Sequence, residues 1–100
     1  MEQIERIGYY EKLMDRIAAA SSALERTLTE FLEVQPLAKE LEEYYVGEDW
    51  RTDYEADEAG RLPADLKRGV LSEDGAYEVL GENHELLIRL LETAAAALRE

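Results

Sequence analysis

The chain contains no cysteine, only two prolines, one tryptophan, one phenylalanine and a single histidine. The missing cysteines exclude disulfides, thiolate metal sites and cysteine nucleophiles together. Basic residues are scarce as well: 11 lysines and arginines stand against 24 acids, a formal charge of −13. Binding nucleic acid requires clustered cations, so a nucleic-acid surface is not expected, and an anionic membrane surface is disfavoured for the same reason. Apolar runs are short, the longest being "AAAAL" at 94–98 and "LLI" at 86–88, too short to cross a bilayer. The start, "MEQIERIGYYEK", lacks a basic segment followed by an apolar one, so no signal peptide is expected and a cytoplasmic location follows by default.

What is present suits a helical domain. One hundred residues leave room for a single core, and an apolar content of 46% is enough to fold. Ile7, Tyr10, Met14, Ile17, Ser21, Leu24, Leu28 and Phe31 recur three and four residues apart, a heptad seam. Ile4, Leu13, Ala20 and Leu32 widen it. The spacing predicts a long helix over about 2–34, roughly 45 Å in length at 1.5 Å per residue. Pro36 restricts the residue before it and should interrupt that helix. A short helix over about 36–46 follows, with Leu37, Leu41, Tyr44 and Tyr45 on one face and Gly47 as its stop.

Asp49 is a candidate cap for a third helix to about residue 59, closed by Gly60 with Pro63 beyond. Residues 63–68 read as one turn, and Ser72 as the cap of a last helix over about 72–99. There the seam resumes at Tyr77, Leu80, His84, Leu87, Leu91, Ala94 and Leu98. Its phase passes through Gly81 unbroken, so one continuous helix is expected despite a Gly cost of about 1 kcal/mol. The small patch "AAASSA" at 18–23 would face His84 and Leu87, and "AAAA" at 94–97 would face Tyr9 and Tyr10, if the long helices ran antiparallel. The expected fold is all-α: two long heptad-patterned helices packed antiparallel, with two short helices in the connecting segment. A homodimer fits the same seams.

Charge is distributed unevenly. Residues 40–58 hold nine acids against Arg51, a net −8, whereas Arg61, Lys67 and Arg68 outnumber Asp65 in residues 61–68. Asp49, Asp53 and Asp57 are four apart and share a helix face, where like charges repel by a few tenths of a kcal/mol per pair. Arg61, Lys67 and Arg68 are the internal candidates to neutralise them. With Tyr54 and Glu58 these residues make the candidate interaction surface: Asp49, Asp53, Tyr54, Asp57, Glu58, Arg61, Lys67 and Arg68. Trp50, Tyr54, Leu62, Leu66, Val70 and Leu71 read as a small apolar cluster docking the middle segment.

Catalytic and cofactor signatures are not found. "DYEADEAG" begins like a calcium loop, but the sixth position is Glu58 instead of Gly and the twelfth is Ala64 instead of Glu. His84 alone cannot build a zinc site and reads as a core or interface histidine. Ser21, Ser22 and Ser72 lie outside any nucleophile motif. No cofactor is expected, and no metal ligand or catalytic residue is assigned.

The stretch "DYEADEAGRLPADLKRGVLSEDGAYEVL" at 53–80, flanked by the long helices and by "LEEYYVGEDW" at 41–50, resembles the small bacterial proteins of domain of unknown function 4298. The similarity spans most of the chain. It implies a short all-helical protein and carries over no activity and no site residues. The sequence thus points to a non-enzymatic acidic helical module that binds a protein partner or itself. The alternatives are an acidic decoy that mimics nucleic acid, or a divalent-cation-binding protein.

Overall fold

A computed structural model describes residues 2–100. The chain is all-α, with no strand among the described residues: α1 (Gln3–Glu33), α2 (Gln35–Tyr45), α3 (Glu48–Glu58), a 3₁₀ turn η1 (Gly69–Leu71) and α4 (Gly75–Leu98). It divides into two compact units, one ending at Gln35 and the other comprising Pro36–Glu100.

The first unit is α1 alone. Glu2 caps it, its carboxylate accepting the backbone N–H groups of Ile4 and Glu5, which satisfies donors that a helix start leaves open. A lone helix cannot bury its own stripe, and no residue of α1 is buried. At the far end the Gln35 amide donates to the Phe31 carbonyl at 2.9 Å. Val34 lies between α1 and α2, so the interruption falls two residues before Pro36, which occupies the first turn of α2.

The second unit is held by its middle segment. Between α2 and α3 the chain turns through Val46 and Gly47, with the Gly47 N–H on the Tyr44 carbonyl at 3.0 Å. The residue flanking the start of α3 is Gly47, which offers no side-chain cap; Asp49, expected as the cap, lies inside the first turn. There its charge still complements the positive end of the helix. Gly60 ends α3 as expected, at φ +70°, where a glycine is favoured. The Gly60 N–H bonds the Asp57 carbonyl and the Arg61 N–H bonds the Ala56 carbonyl, the paired closure of a Schellman motif.

Beyond it, a turn joins the Leu66 N–H to the Pro63 carbonyl at 3.2 Å. Residues 69–71 then form η1, which no periodicity announced because three residues show none. α4 starts three residues later than Ser72 suggested. The Ser72 hydroxyl nonetheless accepts the Gly75 N–H at 3.0 Å and donates to the Gly69 carbonyl at 2.8 Å, so one side chain links η1 to the helix start. α4 runs through Gly81 without a break.

Both α3 and α4 pack on η1. Its Leu71 and the neighbouring Ala76 are the buried apolar residues, 5% and 3% exposed. Trp50 closes one side: its indole N–H donates to the Val70 carbonyl at 2.9 Å, its ring stacks on Tyr54 at 5.1 Å, and Tyr45 meets it edge-on at 5.3 Å. Leu62 is half-buried beside this cluster, while Leu66 and Val70 stay largely exposed. His84 is exposed on α4 and is no core residue.

Candidate functional site

Two of the three aspartates in the row, Asp53 and Asp57, turn inward. α3 presents Asp53 towards α2, where the Tyr44 hydroxyl donates to its carboxylate at 2.6 Å. One turn on, Asp57 receives the Arg68 guanidinium at 2.8 Å, and the other guanidinium nitrogen donates to the Ala64 carbonyl at 3.4 Å. Both carboxylates are half-buried, whereas Asp49 and Glu58 are exposed. Part of the charge of the row is thus engaged inside the corner.

Of the three candidate neutralisers only Arg68 makes an ion pair, the single one among the described residues. Arg61 and Lys67 are exposed. The backbone explains the choice. Arg61 belongs to the closure of α3, and the Pro63–Leu66 turn then returns the chain so that residue 68 comes back alongside the last turn of the helix. Tyr44 is the neighbour of the row that sequence reasoning missed. It shares a face with Leu37, Leu41 and Tyr45, and nothing in the spacing of residues 44 and 53, on separate helices, announces a hydrogen bond.

The arrangement has electrostatic consequences. Burial first, then the hydrogen bond to Asp53 and the charges of Asp53 and Asp49, pushes the Tyr44 phenol up to about 12. The charge of Glu58, followed by burial and the charges of Glu73 and Asp57, raises Tyr54. A folded-state value above the ordinary tyrosine value of about 10 means the unfolded chain loses this proton more readily. The stabilisation is therefore complete below pH ~10 and disappears as pH rises through about 12. In an alkaline titration followed at 295 nm, Tyr44 should ionise last, and Tyr44→Phe should remove that last step. Simultaneous titration of all six tyrosines would contradict the Tyr44–Asp53 bond.

The Arg68–Asp57 pair is weaker, because the two side chains remain 34% and 23% exposed. Solvent screens such pairs. Arg68→Met should cost about 1 kcal/mol in chemical denaturation, less at high salt. No loss at low salt would show that the pair does not hold the corner.

Two clefts open on this corner. One, about 430 Å³, is walled by Leu41, Gly69, Val70, Gly75, Ala76 and Val79, with Lys67 also in its lining. The other, about 290 Å³, brings Tyr44 and Asp53 together with Leu62, Leu66, Lys67 and Arg68. The structure thus gathers Asp53, Lys67 and Arg68 around one cleft and places Tyr54 on the neighbouring aromatic stack. It leaves Asp49, Glu58 and Arg61 on the surface. Among the described residues no group of three or more His, Cys, Asp or Glu stands close enough to hold a metal ion, and no helix is long and apolar enough to cross a membrane.

Helical elements throughout and an acidic corner tied by a tyrosine and an arginine define a small all-α protein. The chain belongs to the family described as Domain of unknown function (DUF4298), whose model matches residues 7–93. No curated protein and no solved structure matches it.

Proposed function

We propose that the chain is a non-enzymatic helical interaction module whose contact surfaces are the heptad seams of α1 and α4, carried by the Tyr44–Gly75 corner. The observation that supports this most is the stripe on α1: Ile7, Tyr10, Met14 and Ile17 follow heptad spacing over about three turns, Ile4 lies beside them, and none is buried. Apolar side chains in such a row gain about 1.5–3 kcal/mol each on full burial, and helices bury them by packing against a second seam. The seam of α4 is a second surface of the same kind. A partner's helix would use the same knobs-into-holes packing on whatever part of either seam is left open.

The corner contributes less to recognition than its charge suggests. Asp53 and Asp57 are engaged by Tyr44 and Arg68, leaving Asp49, Glu58, Arg61 and Lys67 at the surface as rim charges that tune association rates and exclude wrong partners.

Capture from a cell lysate, read by mass spectrometry, separates these surfaces. A specific protein retained by wild type and by Asp49→Lys/Glu58→Lys, but lost with Ile7→Asp/Ile17→Asp, is the expected result. Retention by the seam variant with loss in the corner variant would transfer the contact to the acidic corner. Capture indifferent to both substitutions would refute the module.

A further inference from the structure

The second half of α4 is apolar over much more of its circumference than one helix neighbour covers. At 3.6 residues per turn, Leu86, Leu90, Ala94, Ala97, Leu87, Leu98, Leu91, Ala95 and Ile88 sweep an arc of about 200°, whereas a surface helix typically buries a stripe somewhat over 100° wide. Within the Pro36–Glu100 unit this face is used only near its start, where Ala76 is buried and Leu80 and Asn83 are half-buried. From residue 84 onward every position of α4 is exposed, including Leu86 at 39%, Leu90 at 37% and Leu91 at 72%.

We propose that the flank formed by Leu86, Leu90, Ala94 and Ala97 is a self-association surface, on which the α4 helix of a second copy packs antiparallel. The proposal rests on the reading of the apolar helix faces as contact surfaces and names the occupant of the flank beside the α4 seam. Three features select a second copy. First, the arc is wide enough for two helix neighbours, and nothing within the Pro36–Glu100 unit covers it beyond residue 83. Second, residues 86–98 carry only Arg89 and Glu92, a net charge of zero. Two chains of −13 each repel wherever their acids meet, and this is a segment where they can touch without that cost. Third, the flank is complementary to itself under a two-fold axis. The antiparallel arrangement sets Leu90 against Ala94 of the copy and Leu86 against Ala97, large against small in both pairs, and the symmetry repeats each contact. A parallel arrangement would oppose leucine to leucine and alanine to alanine, crowding one end and leaving the other under-packed.

About four turns of helix form a contact at the low end of interface sizes, so association should depend on concentration. Sedimentation equilibrium over a concentration series tests this directly. The mass of wild type is expected to climb from the 11.4 kDa of one chain towards twice that value. Leu90→Arg should weaken the dimer at least tenfold while circular dichroism shows the helices intact. Ala97→Arg, at the less demanding end of the helix, should do the same if Leu90→Arg fails to fold. Because the chain has no cysteine, Leu90→Cys and Ala94→Cys chains can be mixed and oxidised: the antiparallel register predicts mixed disulfides over self-pairs. A wild type that stays at one chain mass throughout overturns the proposal and leaves the seam reading to its own capture experiment. A dimer that survives both arginine variants but is lost with Ile7→Asp/Ile17→Asp also overturns it, by moving the contact to α1. Disulfides formed mainly between identical variants would overturn the antiparallel register.

Discussion

Replacing Leu71 by Ala should destabilise the Pro36–Glu100 unit by about 3 kcal/mol, the middle of the range for a buried leucine truncated in place. Leu71 is the one large side chain among the described residues that is buried, at 5% exposure, and it sits on η1, the turn on which both α3 and α4 pack. Its removal opens a void at the meeting point of the unit and also loosens the adjoining Val70, whose carbonyl holds the Trp50 indole. A small core has little to spare, so a loss of that size is a large fraction of its stability. Urea denaturation followed by Trp50 fluorescence reads the effect at the affected contact. A shift below about 1 kcal/mol would show that the corner does not depend on this side chain.

Gly75→Ala should also destabilise, by about 1–3 kcal/mol as an overpacked site, against what helix propensity predicts. Ala is favoured over Gly by about 1 kcal/mol in a helix, and Gly75 is the first residue of α4. A Cβ built there, however, lies 2.5 Å from both the Gly69 carbonyl oxygen and the Ser72 hydroxyl. The hydroxyl can rotate away only by giving up its bonds to Gly69 and Gly75. The carbonyl belongs to η1 and cannot move without disturbing Leu71. Steric contact therefore outweighs propensity. Gly81 is the internal control, since a Cβ there meets nothing within 4 Å, and Gly81→Ala should raise stability by up to about 1 kcal/mol. Thermal melts of the two variants should move in opposite directions. Two shifts of the same sign would mean that η1 does not press on the start of α4.

These two glycines show where local pattern stops being informative. Gly60 was legible as a helix end because a stop followed by a nearby proline is a local code, and its positive φ is the conformation that code anticipates. Gly75 and Gly81 look alike in the sequence, both lying in or next to an apolar periodic run. One is fixed by a carbonyl six residues earlier in the chain, the other faces open space, and only the path of the backbone through η1 separates them.

The acidic segment divides in the same way. The helix itself, the four-residue spacing of Asp49, Asp53 and Asp57 and their mutual repulsion were all readable from the letters. Which base would answer them was not. Arg61, Lys67 and Arg68 were equivalent candidates by charge, and the Pro63–Leu66 turn alone brings Arg68 to Asp57. Tyr44 offered no signal at all, because a hydrogen bond between neighbouring helices leaves no period in the sequence.

The sequence by itself determined the helices, the seams along the two long ones, the absence of cysteine chemistry and the place where charge concentrates. All of these follow from composition and from periods of three to four residues, which depend on the geometry of one helix at a time. Tertiary structure alone decided that Asp53 and Asp57 turn inward while Asp49 stays exposed, that Tyr44 and Arg68 receive them, and that a three-residue turn carries the buried centre of the corner. Those outcomes depend on where distant segments meet, and meeting points are set by turn geometry and packing rather than by any local repeat.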